Sequence, residues 1–182
     1  FSGKEDWEKR LIKTVGNAEE RFQEDYLRIL RAVRFSTEYK FSIEENTFKA
    51  GKKYAYNIIN VSEERIREEF FKILLSDTPS NGIIILEKIG ILDIILTELV
   101  DTIGFDQKNP HHEKELYEHI LCVLDNVEPI LNLRLAALFH DIGKVHTQVF
   151  DKEGIAHYYN HDKIGAKMAE DILKRFKVSN EL

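Results

Sequence analysis

The sequence predicts an all-α fold built as two successive helical units, and three observations predict it. Apolar residues recur at steps of three and four almost throughout, strict strand-like alternation is scarce, and helix start signals return along the chain. The elements follow in order. Asn17 with Glu20 three residues on has the form of a capping box. It opens a helix that runs through Glu24-Asp25-Tyr26-Leu27-Arg28-Ile29-Leu30-Arg31-Ala32-Val33-Arg34-Phe35. Ser42 with Glu45 repeats the device for a second helix. Ser62 before Glu63 and Glu64 starts a third, expected to reach Leu75 with Ile66, Phe70, Ile73 and Leu74 turned inward. Pro79 suits the first turn of a fourth helix and Gly90 its end, and residues 83–96 are apolar enough to be buried on most sides. Gly104 and Asn109-Pro110 mark a loop, where the break between the two units is placed. Helices are then expected over residues 112–126 and 129–139. Asp151-Lys152-Glu153-Gly154 is a turn inside residues 145–159, which form either a short hairpin or an irregular loop. A last helix runs from His161 to Lys177.

A chain of 182 residues with 43% hydrophobic content can bury one sizeable core or two small ones. The charged opening and the lack of any apolar run of bilayer length give no expectation of a signal peptide, a membrane span or a membrane partner. Cys122 is the single cysteine, read as part of an apolar helical face, so no disulfide framework is available and a cytoplasmic setting is expected. A net charge of −6 excludes nucleic-acid binding by bulk electrostatics and leaves only local contact, as at Lys49, Lys52 and Lys53. Lys174, Arg175 and Lys177 are accounted for by the dipole of a closing helical turn. Trp7, Phe22, Tyr54 and Tyr56 are read as core aromatics ahead of base-stacking ones.

Asp25, Arg28, Arg31 and Arg34 stand at steps of three, so on one helix they share a stripe, with Leu27, Leu30 and Val33 on the neighbouring packing face. A carboxylate beside guanidiniums suits a Watson-Crick edge: the acid accepts from the exocyclic amine of cytosine or adenine while a guanidinium donates to the adjacent ring acceptor. Guanine and uracil carry a carbonyl there. A solvated helix face laced with ion pairs is the other reading of the same residues.

The stretch TVGNAEERFQEDYLRILRAVRFSTEYKFSIEENT, followed by VSEERIREEFFKILLSD, resembles the segment after the catalytic head in the class II tRNA nucleotidyltransferase and poly(A) polymerase family. The resemblance implies that Asp25 and Arg28 select the incoming base and that Arg31 and Arg34 help hold its triphosphate. It also implies tRNA, CTP and ATP as partners, with Mg2+ in the parent enzyme. The opening FSGKEDWEKRLIKTVGN is similar to the end of the head. The implied organisation is therefore a head remnant over 1–16, a helical neck with RNA and nucleotide binding over 17–103, and a helical body over 104–182. Phosphoryl transfer in that family uses an Asp-x-Asp pair and a Gly-Ser turn to hold metal and phosphate, and neither dipeptide pattern occurs here. The chain alone is expected not to add nucleotides.

His140-Asp141 sits in LAALFHDIGK, with His119 and His161 each twenty-one residues away, upstream and downstream. Imidazoles with a carboxylate suit a divalent transition metal or Mg2+, which can activate water against a phosphate ester. The pattern resembles the HD superfamily of metal-dependent phosphohydrolases. That resemblance implies His119, His140 and Asp141 as metal ligands, His161 as a further ligand and Lys144 as a phosphate contact. His112, one heptad before His119 and so on the same helix face, is expected in an outer layer. The superfamily's closing Asp on a later helix has no counterpart before Leu182, which leaves open a weak or incomplete metal site or a hydrogen-bonded relic. His111, His146 and His157 are read as loop or surface residues. The leading expectation is the neck and HD-containing body of a CCA-adding enzyme. A poly(A) polymerase body, an HD phosphohydrolase and a non-catalytic RNA-binding module are the alternatives.

Overall fold

The computed structural model describes residues 3–108 and 115–178, so the expectations for Asn109-Pro110, His111, His112 and the start of a helix at 112 lie outside the described residues. The fold is all-α with two minor strand pairs, and it divides into two compact units, residues 1–95 and 96–182.

In the first unit α1 (Gly3–Glu8) leads into β1 (Leu11–Ile12), followed by α2 (Ala18–Glu24) and α3 (Leu27–Tyr39). Asn17 is the N-cap of α2, its Oδ1 accepting from Glu19 N at 2.9 Å and Glu20 N at 3.4 Å, as the capping signal predicts. The single long helix expected from Asn17 onward is instead two. Asp25 is extended, at φ −159° and ψ 106°, and its Oδ1 accepts from Leu27 N at 3.1 Å. An Asp side chain competes for backbone N–H groups, so it favours starting a helix over sitting inside one.

The second departure is similar. Ser42 lies in β2 (Ser42–Ile43), which pairs in parallel with β1, and the cap of α4 (Glu45–Tyr54) is Glu44, which accepts from Thr47 N at 2.8 Å and Thr47 Oγ1 at 3.0 Å. A 3-10 turn (Ala55–Asn60), α5 (Glu63–Leu74), α6 (Pro79–Ile89) and α7 (Leu92–Ile95) complete the unit. Pro79 opens α6, and Gly90 closes it in the left-handed region at φ 88°. Phe22, Ile29, Leu30, Val33, Ile58, Phe70, Ile73, Leu74, Ile83 and Leu86 form the core, with α3 packed on α5 and α6. A Cβ at Gly82 would overlap Ile73 Cγ2 and stand 2.8 Å from Thr37 Oγ1, so only glycine permits this approach of α6 to α3 and α5. Of the aromatics read as core, Phe22 is fully buried, whereas Trp7 and Tyr56 are 60% and 69% exposed. Trp7 stands edge-on to Tyr39 and Phe41 beside a groove of about 660 Å³.

The second unit begins at Leu96, earlier than the Gly104 loop. Leu96 and Leu99 are fully buried, and Glu98 on α8 (Thr97–Val100) receives two hydrogen bonds of 2.8 Å from Arg175 on α11 (His161–Arg175). The cation near the α11 C-terminus thus has a specific partner in addition to the dipole. Between them lie α9 (Leu116–Asp125), α10 (Leu131–Phe139), a 3-10 turn (Ile142–His146) and the hairpin β3 (Gln148–Phe150) with β4 (Ala156–Tyr158). The hairpin alternative is the one realised: Asp151 Oδ1 accepts from Glu153 N and Ile155 N, each at 2.9 Å, and its Oδ2 meets His157 Nε2 at 2.8 Å. Cys122 is exposed on α9 rather than on its packed face. No described helix is long and apolar enough to cross a membrane.

Glu44 gives a pH prediction. Partial burial opposes its charge, but the backbone N–H donors of Thr47 and Asn46 and the Thr47 hydroxyl more than offset this and hold its pKa below 4.5. A depressed carboxyl stabilises the fold above its unfolded value and loses that contribution as pH falls through the folded value. Urea melts of Glu44→Ala should show a deficit of about 1 kcal/mol at pH 7 that shrinks steadily below about pH 4.5.

Candidate functional site

The break at Asp25 changes the guanidinium stripe. Asp25 Oδ2 is held by Arg65 of α5 at 2.8 Å, in addition to the Leu27 N–H on its other oxygen. Burial works against its charge, yet the Arg65 and Leu27 hydrogen bonds keep the carboxyl below its ordinary value. Arg28 leans back to α2, donating to Glu24 Oε2 at 2.6 Å and Arg21 O at 3.1 Å. Arg28 and Arg31 line one cleft of about 220 Å³ together with Lys13, Thr14, Phe35 and Thr47. Arg34 is drawn the other way: its Nε lies 3.0 Å from Glu69 Oε2 on α5, with side-chain exposures of 15% and 9%, and its guanidinium carbon stands 4.2 Å from the Phe35 ring centroid. Four residues expected on one stripe therefore separate into a cleft pair, Arg28 and Arg31, and two carboxylate pairs, Asp25–Arg65 and Arg34–Glu69.

Lys13, Arg65 and Glu69 went unmarked in the sequence. Lys13 enters the cleft because β1 pairs with β2 from thirty-one residues away, and Arg65 reaches Asp25 across forty residues. No local pattern carries either contact.

The second cluster is built from four segments. α9 supplies His119, the end of α10 supplies His140 and Asp141, the following 3-10 turn supplies Lys144, and α11 opens with His161. His140 Nδ1 is 2.8 Å from Ala137 O and His161 Nδ1 is 2.8 Å from Tyr158 O, so each ring donates outward through Nδ1 and presents Nε2 to Asp141. The separations are 3.2 Å for His119 Nε2 to His140 Nε2, 3.3 Å for His140 Nε2 to Asp141 Oδ2 and 3.5 Å for His119 Nε2 to Asp141 Oδ2. Ligands about 2.0–2.1 Å from one tetrahedral ion lie about 3.3–3.4 Å apart, so these three atoms have the spacing of one face of such a site. They form the candidate metal group among the described residues. His161 approaches the other oxygen, 3.6 Å from Asp141 Oδ1, outside that face.

Lys144, expected as a phosphate contact, is turned inward. It is 6% exposed, with Nζ 2.8 Å from Asp141 Oδ2 and 3.0 Å from Gln107 Oε1, because a buried carboxylate draws the nearest cation. Burial opposes the charge of Asp141, but His140 and Lys144 overcome it and hold the carboxyl far below its usual range. Burial likewise opposes protonation of His140, and its bonds to Asp141 and Ala137 O raise its pKa despite that.

The HD family model matches residues 116–181, and the model described as "Probable RNA and SrmB- binding site of polymerase A" matches residues 40–102. The chain is 33% identical to an A-adding tRNA nucleotidyltransferase of Deinococcus radiodurans, over 98% of this chain and 43% of that protein. The chain belongs to the class II tRNA nucleotidyltransferase family. It is 35% identical to a CC-adding tRNA nucleotidyltransferase of Thermus thermophilus, over 91% of this chain and 40% of that enzyme. The chain spans less than half the length of these nucleotidyltransferases. The fold is also that of the Bacillus stearothermophilus CCA-adding enzyme solved with CTP, at a TM-score of 0.60 and 23% identity, covering 100% of this chain and 37% of that one. The resemblance and the helical neck and HD-containing body it implies are thus borne out.

The Arg34–Glu69 pair can be assigned by stability. Glu69→Ala removes the nearer carboxylate from a largely buried guanidinium, leaving it Glu38 Oε1 at 4.0 Å, and should lower unfolding free energy by about 1–3 kcal/mol. Arg34→Met in the same background should recover part of the loss, giving a coupling above about 0.5 kcal/mol in a double-mutant cycle read from denaturant melts.

Proposed function

We propose that this chain serves as the neck and HD-containing body of an enzyme that adds C and A to tRNA 3′ ends from CTP and ATP with Mg2+. The observation that carries the reading is alignment over nearly the whole chain with enzymes named for adding A and for adding CC to tRNA. In this reading Asp25 accepts from the exocyclic amine of cytosine or adenine and Arg28 donates to the neighbouring ring acceptor. Arg31, beside Arg28 and Lys13 in one cleft, faces the phosphates. Arg34 supports this helix from behind through Glu69. The cleft of about 220 Å³ is smaller than the ~300 Å³ at which small-molecule pockets begin, so the proposal assigns it part of a nucleotide. The rest of the nucleotide's surroundings, and the groups that perform phosphoryl transfer, are assigned to the length of the relatives that this chain does not span. The enzyme's setting is the cytoplasm, where tRNA ends are available.

Donor assays on the complete polypeptide test this. Incorporation of both CTP and ATP into tRNA is expected, and ATP alone would point to a polyadenylating enzyme. The isolated chain should incorporate neither. Asp25→Ala should raise GTP and UTP misincorporation at least about tenfold relative to CTP and ATP, since an acceptor-only carboxylate no longer rejects a carbonyl. Thermal melts are needed beside it, because Asp25 also accepts from the first backbone N–H of α3, that of Leu27. Unchanged selectivity in a folded variant would rule out base reading by Asp25.

The tetrahedral-face spacing favours a second activity, metal-dependent hydrolysis of phosphate esters at His119, His140 and Asp141. A divalent transition ion or Mg2+ held there would activate water and polarise a phosphate oxygen. The chain's own part is to fix the His140 ring through Ala137 O and the His161 ring through Tyr158 O, and to keep Asp141 ionised. His140→Ala should abolish both phosphatase activity and bound metal, whereas His161→Ala should retain metal. Equal metal content in wild type and His140→Ala would end the ligand assignment.

A further inference from the structure

We infer that Lys144 is a built-in competitor for the cation of the HD centre, and that it sets how tightly this chain holds a divalent ion. The inference rests on the metal reading given above and goes beyond it by assigning a residue that weakens the site. One oxygen, Asp141 Oδ2, completes the face formed with His119 Nε2 and His140 Nε2, and the same oxygen accepts from Lys144 Nζ at 2.8 Å.

The ammonium is fixed where it stands. Gln107 Oε1 takes a second hydrogen bond at 3.0 Å, the Tyr158 ring centroid lies 5.4 Å away, and Gln107 itself is 2% exposed. Lys108 O accepts from Ala156 N at 3.1 Å and Asp106 O accepts from Gln148 Nε2 at 3.1 Å, so the segment carrying Gln107 is stitched to the hairpin. The ammonium is thus held by two buried acceptors, and leaving the carboxylate costs it one of them.

The electrostatics follow. Two neutral imidazoles and one carboxylate would offer a dication a net charge of −1. With Lys144 at the same oxygen the offer is zero, and the arriving ion also meets a fixed positive charge at close range in a poorly screened place. Binding then requires either displacement of the ammonium or acceptance of that repulsion. Both outcomes weaken the site without removing any ligand. A centre tuned this way is occupied only when the ambient ion is abundant or binds imidazole strongly.

The test uses the full chain and Co2+, whose visible d–d bands report ligation directly, with affinity taken from titration against a chelator. Lys144→Met, which is one heavy atom shorter and removes the charge, should bind Co2+ at least about tenfold more tightly than wild type. Lys144→Gln should lie between the two, and it carries the test if Lys144→Met does not fold as judged by thermal melting. Asp141→Asn should remove the bands in either background. Equal or weaker Co2+ affinity in a folded Lys144 variant would overturn the inference while leaving the metal reading intact. Absence of binding in wild type and in both variants would overturn the metal reading, and the inference with it.

Discussion

A carboxylate removed from water must collect donors, and both chemical centres of this chain are arranged by that requirement. Asp141, 5% exposed, draws His119, His140, His161 and Lys144 from four segments. Glu69, 7% exposed, holds Arg34 at 3.0 Å and Lys72 at 3.4 Å, which ties α3 to α5. Asp25 ends α2, starts α3 and takes Arg65. In each case one acid fixes the relative placement of elements distant in sequence, and the helices supply the apolar backing.

These three acids differ in how firmly they are committed, and this difference separates structure from function. The Glu69 pair is shielded, so exchanging Arg34 for a ligand would take from a buried carboxylate its nearest cation and leave it Lys72 at 3.4 Å. The Asp25–Arg65 pair is not: the Arg65 side chain is 51% exposed, and pairs of that kind contribute about 0–1 kcal/mol. A nucleobase amine could replace Arg65 at little cost. Exposure thus gives Asp25 the freedom that base reading requires and denies it to Arg34, although both stand at the same sequence period.

Much of the helical layout was legible because it rests on local chemistry. Asn17 as a cap, Pro79 at a first turn, Gly90 at a positive φ and the inward set Ile66, Phe70, Ile73 and Leu74 are all decided within a few residues of themselves. The His-Asp cluster was legible because its residue types are uncommon together. What was not legible was decided by competition or by distance. Asp25 has two uses for its carboxylate, helix interior or helix start, and periodicity cannot weigh them. Ser42 lost its cap role to Glu44 once β2 paired with β1, a pairing across thirty-one residues. The Lys144–Gln107 contact spans thirty-seven residues, and nothing in the sequence beside Lys144 announces it.

The relatives sharpen what base selection can mean here. One is named for adding A and another for adding CC, at 33% and 35% identity to the same chain. Under the proposed function, the carboxylate and guanidinium of Asp25 and Arg28 would match the amine and ring acceptor of both cytosine and adenine, a pairing that excludes guanine and uracil without choosing between the other two. The choice between C and A must then come from the space around the base, since a purine needs a wider slot than a pyrimidine.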